Sequence, residues 1–182
     1  MSARIIQSIK EGKLPRHDIY TLEQKAKSAL QSPNEAQRDS ARNLLEAIRT
    51  IEMPDPYYLF MGFCPNGLLA NRLDNEWREK GICEYFYDEN QVAVFRQVLV
   101  GDLIVLKKGQ QWMKTMTLHG HGRVTRLHDD DQGVRWLSVD WHPNRRIIEV
   151  PFMGATATVN HRSLKYLEEN NMPDEFFSWL TE

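Results

Sequence analysis

The sequence predicts an α+β protein in which a helical N-terminal segment precedes a mostly antiparallel, barrel-like sheet. Before residue 53, apolar residues recur at helical intervals. After residue 56, short apolar runs with strand patterning follow one another, with a helix after the first run and another at the end of the chain. A chain of 182 residues is long enough to bury such a core.

The N-terminal segment, residues 1–53, is predicted to be an appendage built as an antiparallel helix pair. The first helix covers about residues 19–31, where Thr21 and Gln24 have capping-box spacing. Ser32 then serves as N-cap of the second helix, with Pro33 at its first position. This helix should end before Pro54, and its apolar stripe is Leu44, Leu45, Ile48 and Ile51.

Residues 57–182 are predicted to form the second domain, which begins with the buried strand YYLFMGF. A loop and a helix to about residue 80 should follow, with Leu69, Leu73 and Trp77 facing the core. ICEYFYD alternates as a second strand, and QVAVFRQV is a short strand or an extended segment.

A turn at Gly101 and Asp102 should start the next strand, with the glycine permitting the turn and the aspartate capping it. A hairpin, a short strand and a C-terminal helix interrupted near Pro173 complete the domain. The expected strands are 103–107, 116–127, 134–141 and 146–150.

Charge and composition exclude several classes of protein. The net charge of −2 and pI near 6.3 give no global basic field, so nucleic-acid binding would need a local basic face or a pocket. The two cysteines are too few for a disulfide framework and form no Cys-x-x-Cys pair. With no signal-peptide run and no membrane-spanning segment in the sequence, we expect a cytoplasmic protein that does not bind membranes.

The order of several pieces resembles a PUA-like domain, of the EVE type and of the type that accompanies McrB-type restriction ATPases. The pieces are YLFMGF, a helix, WREKGICEYFYD, VGDLIVLKKG, HGHGRVTRL and LSVDWHP. The resemblance covers residue 57 to the C-terminus and leaves out the helix pair. It implies a pseudobarrel that binds nucleic acid, often a modified or flipped base, in a pocket rimmed by aromatic and polar side chains.

The resemblance also implies a role in restriction or phage defence, with DNA a more probable ligand than RNA. No Walker motif occurs in the chain, so any ATPase or nuclease activity would belong to a separate subunit. Related domains place part of the pocket in the loop after the first strand, here residues 63–71, so Asn66 and Asn71 are candidates for reading a base edge. The alternative for both asparagines is turn formation and capping.

The other candidate binding residues are aromatic and basic side chains near strand ends. Lys107 and Lys108 should leave their strand on opposite faces, where one of them can meet a phosphate or both can be solvated. Trp112 lies in a polar loop and is suited to stacking on a base or to covering the sheet. The full set is Asn66, Asn71, Tyr85, Tyr87, Lys107, Lys108, Trp112, Lys114, Trp141, Arg145 and Arg146.

We expect no metal, no cofactor and no catalytic residue. His119 and His121 should share one face of a strand, but no third ligand with metal-site spacing accompanies them. Two alternatives remain open. Some related barrels are amidohydrolases acting on modified nucleosides, and Lys107, Thr115 and Glu84 supply the residue types. The N-terminal helices can instead dock an effector protein through their apolar stripe.

Overall fold

The computed structural model describes residues 3–14, 16–51, 55–85, 91–110, 114–129, 135–155 and 157–182. The chain divides into two compact units, Met1–Asp55 and Pro56–Glu182. Within the described ranges, no helix has the length and hydropathy that crossing a membrane requires.

The described residues of the first unit form three helices rather than the predicted pair. They are α1 (Ala3–Lys10), α2 (Arg16–Ala29) and α3 (Glu35–Arg49). Leu44 and Ile48 of α3 are buried in one cluster with Ile9 of α1 and with Ile19 and Ala26 of α2. The apolar stripe of α3 is therefore covered within its own unit, and α1 was missed because its three isoleucines make only a short apolar patch in the sequence.

The start of α3 also differs from the prediction. Asn34, not Ser32, is the N-cap, and its side-chain oxygen accepts a hydrogen bond from the backbone N–H of Gln37 at 3.3 Å. The Ser32 hydroxyl accepts from the backbone N–H of Asn34 at 3.2 Å and donates to the Gln37 side chain at 2.5 Å. Ser32 and Pro33 thus brace the chain just before the helix.

Where the structure describes it, the second unit combines seven strands with four short α-helices. The strands are β1 (Tyr58–Gly62), β2 (Ile82–Glu84), β3 (Leu103–Gln110), β4 (Thr115–Asp129), β5 (Arg135–Trp141), β6 (Ile148–Pro151) and β7 (Val159–Arg162). The helices are α4 (Asp74–Lys80), α5 (Val92–Phe95), α6 (Leu164–Glu169) and α7 (Asp174–Trp179).

The strands form one mixed sheet in the order β2-β5-β4-β3-β1-β7, and β6 pairs with the first part of β4. The β1–β3 pairing is parallel, and the other pairings among the described strands are antiparallel. The α+β class and the mostly antiparallel character are confirmed. The described strands do not close into a barrel, because β2 and β7 remain at opposite edges of the sheet.

Apolar clusters cover both faces of the sheet. On one face, Phe60 packs in a cluster with Trp179 of α7. On the other face, Leu59 packs with Trp77 of α4 and Phe95 of α5. Alternate residues of β1 therefore enter different cores, which explains its continuous apolar run and confirms the predicted buried strand.

Two predictions about local structure were wrong, and one strand was missed. Residues 92–95 form a helical turn instead of the predicted short strand or extended segment, and β7 was not predicted. The helix expected from about residue 69 begins only at Asp74, because residues 65–71 form two 3-10 turns. Leu69, predicted to face the core, is consequently 52% exposed.

Asp102 caps the turn before β3, as predicted. Its carboxylate is fully buried and accepts hydrogen bonds from the backbone N–H of Tyr57 at 3.1 Å and of Leu99 at 2.8 Å. Gly101 has a φ of 91°, which glycine adopts without strain. These two residues join the start of β1 to the start of β3 and have a structural role.

A β-bulge at His119 overturns the prediction that His119 and His121 share a face. Leu106 pairs with Gly120 and Lys107 with Leu118, so His119 is the extra residue of β4. One extra residue reverses the alternation of side chains beyond it. His119 accordingly contacts the Phe63 ring at 4.8 Å on one side of the sheet, whereas His121 contacts Trp179 at 4.6 Å on the other.

Candidate functional site

A pocket of about 220 Å³ opens where β1 and β3 end. Because these two strands are parallel and Gly62 pairs with Lys107, their carboxyl ends leave the sheet at the same edge. The connection between β6 and β7 closes the third side. The described lining residues are Gly62, Phe63, Cys64, Gly67, Lys107, Lys108, Gly109, Phe152, Ala155, Ala157 and Thr158.

The pocket is lined by small residues, which leave it open, and by two aromatic rings. A methyl group added at Gly109 would lie 3.3 Å from the ring of Phe152, closer than most side chains approach. Gly67 has a φ of 72° and turns the loop after β1 past the pocket. Five of the eleven described lining residues are glycine or alanine, and Phe63 and Phe152 are the aromatic ones.

The Lys107 ammonium is buried beside this pocket, since only 5% of the residue is exposed. It donates to the carbonyl oxygens of Ala155 and of Ala157, the latter at 2.5 Å, and to the side-chain oxygen of Asn160 at 2.8 Å. Three acceptors match the three hydrogens of a charged ammonium. Lys107 thus fastens the β6–β7 connection to the end of β3.

The charge of Lys107 is not neutralised by any carboxylate that the structure describes. Burial, assisted by the nearby charge of Arg162, lowers the pKa of Lys107 from 10.5 to about 7, while the three oxygen acceptors favour its charged form. None of the described lining residues carries a carboxylate. Below this pKa the charged Lys107 gives the pocket a net positive charge, which favours groups that present oxygen atoms or negative charge.

Lys108 leaves β3 on the opposite face, as alternation predicts, and yet borders the same pocket. It is half-buried, and its charge acts to lower the pKa values of Cys64 and His119. Burial is the largest effect on both: it raises the pKa of the Cys64 thiol and lowers the pKa of His119. Neither group is thus charged at neutral pH, and Lys108 adds a second positive charge at the pocket.

The Phe63 ring is held from outside the pocket by an ion-paired arginine. The Arg72 guanidinium lies 5.6 Å from the ring centre and binds both carboxylate oxygens of Asp74, at 2.7 and 2.5 Å. Burial opposes ionisation of Asp74, but the hydrogen bonds and charge of Arg72 hold its pKa below the usual value. Arg72 and Asp74 together fix the ring and add no net charge.

Three of the candidate binding residues, Trp141, Arg145 and Arg146, are not among the residues that line this pocket. The Trp141 indole N–H donates to the carbonyl oxygens of Trp77 and Ile82, both at 3.1 Å, and Trp141 borders a separate cavity that Leu103 also lines. Leu103 and Lys107 stand four residues apart in β3, or about 13 Å. Trp141 is therefore packed into the fold, where its indole has a structural role.

The two arginines beyond Trp141 have different surroundings. Arg146 forms ion pairs with Glu175, at 2.5 Å, and with Glu182, so carboxylates already occupy its guanidinium. Arg145 is exposed. The structure therefore does not bring these arginines to the pocket.

The other candidates are scattered or lie outside the described residues. Tyr85 is half-buried, with its ring 5.6 Å from that of Phe95. Asn71 and Lys114 are exposed, and the Lys114 carbonyl accepts from the backbone N–H of Phe152 at 3.0 Å, next to the pocket. The predictions for Tyr87, Trp112 and the Asn66 side chain fall outside the described parts of the chain.

Sequence reasoning missed the side of the pocket that the β6–β7 connection forms. Phe152, Ala155 and Ala157 belong to the β6–β7 connection, and Asn160 to a strand that was not predicted. A lone phenylalanine after a short strand and two alanines form no motif. A buried lysine just after an apolar strand is the one signal that could have suggested distant oxygen acceptors.

The groups named for an amidohydrolase do not meet. Lys107 pairs with Leu118 in the sheet, whereas Thr115 lies three residues earlier in β4 and pairs with Gln110. Glu84 is on β2, which two intervening strands separate from β3, a distance of about 14 Å. In the described parts of the chain, no group of three His, Cys, Asp or Glu residues is arranged to hold a metal ion.

Comparison with known proteins adds no relative to this description. No protein-family model matches the chain, and no curated protein matches its sequence.

Proposed function

We propose that the second unit is a non-enzymatic nucleic-acid-binding module, of the PUA-like kind, that accepts a single base in the pocket at the end of β1 and β3. The supporting observation is the buried Lys107 ammonium, without a described carboxylate partner, beside a cavity that contains two phenylalanine rings. Guanine and thymine carry carbonyl oxygens on their major-groove edges, and every base has an apolar face, so such a base matches both properties.

The size of the pocket favours one base over a larger ligand. Drug-sized and cofactor-sized ligands occupy roughly 300–1,000 Å³, and this cavity has about 220 Å³. Phe63 and Phe152 would contact the base, while backbone groups of the glycine-lined wall read its edge. A modified base is the ligand we expect, in DNA before RNA.

Lys108 is the residue that we assign to the nucleic-acid backbone. It borders the pocket, it is half-buried, and its stem is long enough to reach a neighbouring phosphate. Lys107 has its three hydrogens engaged and contributes its charge and the shape of the β6–β7 connection instead. A role in restriction or defence, with effector chemistry on a separate subunit, remains part of this proposal.

The contacts in the structure support neither the amidohydrolase alternative nor the docking of an effector by the N-terminal helices. The dispersed positions of Lys107, Thr115 and Glu84 do not favour hydrolysis. The stripe of α3 is used in the core of the first unit, where Leu44 and Ile48 are buried and Leu45 and Ile51 are partly buried, so it leaves little apolar surface for an effector.

Fluorescence anisotropy with single-stranded, duplex and base-modified DNA and RNA at low salt tests the proposal. Lys108→Gln should weaken binding to every sequence equally and reduce the slope of log K against log salt by about 0.9 for duplex or about 0.7 for single strands. The matched control is Lys165→Gln, because Lys165 is exposed on α6 and does not border the pocket.

Base reading is tested separately by filling the pocket. Ala157→Phe places a ring in the cavity that Ala157 lines. It should abolish discrimination between modified and unmodified bases and leave the salt dependence intact, since the phosphate contact is unchanged. Absence of binding to all of these probes at low salt would refute the proposed function.

A further inference from the structure

Two adjacent leucines stand in solvent beside the candidate pocket. Leu68 is 56% exposed and Leu69 52% exposed, and they directly follow Gly67, which lines the pocket. Single exposed apolar residues are common on protein surfaces. Here two of the four large apolar side chains exposed among the described residues are neighbours at the tip of one loop.

The loop that carries these leucines is held in shape by its own backbone. The N–H of Leu68 donates to the carbonyl of Pro65 at 3.2 Å, and the N–H of Asn71 donates to the carbonyl of Leu68 at 3.1 Å. The N–H of Leu73 closes the loop on the carbonyl of Phe63 at 2.9 Å. The leucines are thus presented on a preorganised turn, which lowers the entropy lost when they bind something.

The surroundings of the leucines indicate which kind of ligand they would contact. Lys108, and Lys107 below its pKa of about 7, place positive charge at the pocket next to them, and no described lining residue carries a carboxylate. Duplex DNA offers apolar stacked bases flanked by phosphates, so an apolar tip next to cationic groups is complementary to it. A protein interface would need a larger contiguous apolar patch, and the other exposed apolar residues, Val100 and Ile147, lie outside this loop.

We propose that Leu68 and Leu69 form a wedge that enters the base stack of a DNA duplex beside the nucleotide whose base occupies the pocket. This inference rests on the proposed function. Moving one base of a duplex into a protein pocket breaks its stacking and leaves a gap in the helix. Apolar side chains inserted between base steps offset that loss. On single-stranded DNA, no gap forms and the wedge has nothing to fill.

The test compares duplex and single-stranded DNA of one sequence, with 2-aminopurine next to the target base, because its fluorescence rises when it is unstacked. The variant is L68S/L69S. The control is Ile147→Ser, since Ile147 is 55% exposed, as the leucines are, but lies outside the loop. A second variant, L68M/L69M, keeps the apolar volume.

We expect the wild type to raise the 2-aminopurine signal on the duplex. L68S/L69S should lose about tenfold or more in duplex affinity, with single-strand affinity within about twofold of the wild type. Ile147→Ser and L68M/L69M should behave as the wild type does.

Equal losses on duplex and single strand, or no loss on either, would overturn the wedge while leaving nucleic-acid binding in place. If duplex binding is unchanged and sedimentation shows that only the wild type self-associates, the leucines contact a second copy and the proposal is wrong. If the wild type binds neither DNA, the proposed function itself fails, and the wedge fails with it.

Discussion

The close approach of Arg78 to Gly120 supports a quantitative prediction. A methyl group on Gly120 would lie 1.4 Å from Nη2 of Arg78 and 2.6 Å from its Cζ, so Gly120→Ala must displace the guanidinium. That group donates to the carbonyl oxygens of His119, at 2.8 Å, and of His142, at 3.2 Å. Each hydrogen bond from a charged donor contributes about 1.5–3 kcal/mol.

Because one of these bonds is long and Arg78 is half-exposed, we expect Gly120→Ala to lower the free energy of unfolding by about 3 kcal/mol. Urea unfolding followed by tryptophan fluorescence measures this loss in the second unit alone, since all five tryptophans lie there. In an Arg78→Ala background the clashing group is absent and only the strain of an alanine at the Gly120 φ of 157° remains, so the same substitution should cost about 1 kcal/mol. Equal losses in both backgrounds would refute the reasoning.

Two further predictions concern buried polar groups. Asp102→Asn should lower the free energy of unfolding by about 2–4 kcal/mol, because an amide N–H₂ would then face the backbone N–H of Tyr57 or Leu99. A change under about 0.5 kcal/mol in urea unfolding would contradict the capping role. Burial lowers the pKa of His121 from 6.5 to about 4, so only the unfolded chain takes up a proton between these values. As the pH falls from 6.5 to 4, the free energy of unfolding of the wild type should therefore decrease by about 3 kcal/mol more than that of His121→Phe. Parallel pH profiles of the two proteins would show that the histidine is not involved.

The features predicted correctly are those determined by neighbouring residues. The run from Tyr58 to Gly62 alternates between two cores, and its uninterrupted apolar character is visible in the sequence. The Gly-Asp turn is similarly local, since Asp102 binds Leu99, three residues before it. Opposite projection of Lys107 and Lys108 follows from strand geometry alone.

The features that could not be predicted depend on distant parts of the chain. The acceptors of Lys107 lie 48, 50 and 53 residues further along the chain, so nothing adjacent to the lysine identifies them. The bulge at His119 moves one histidine to the other face without any change in composition. Leu69 fits a helical stripe by spacing, but the chain turns twice before the helix begins.

Within the candidate site, the sequence indicated the loop and the lysines but could not separate them from Trp141 and Arg146. Basic and aromatic residues occur near the ends of several strands, and their residue types do not show which of these ends lie together in the fold. Their separation follows from strand register, which places Trp141 opposite Gly122 while Lys107 lies opposite Leu118. Register depends on pairing across the whole sheet.

The position of β1 between β3 and β7 affects how the second unit can fold. Tyr58 pairs with Arg162, about 100 residues later in the chain, so β1 gains its second neighbour only when nearly all of the unit has been synthesised. At a synthesis rate of roughly 5–20 residues per second, one edge of this apolar strand remains unpaired for several seconds. Long-range pairing of this kind slows folding and exposes nascent chains to aggregation. We therefore expect β1 to be the segment that most needs protection during synthesis.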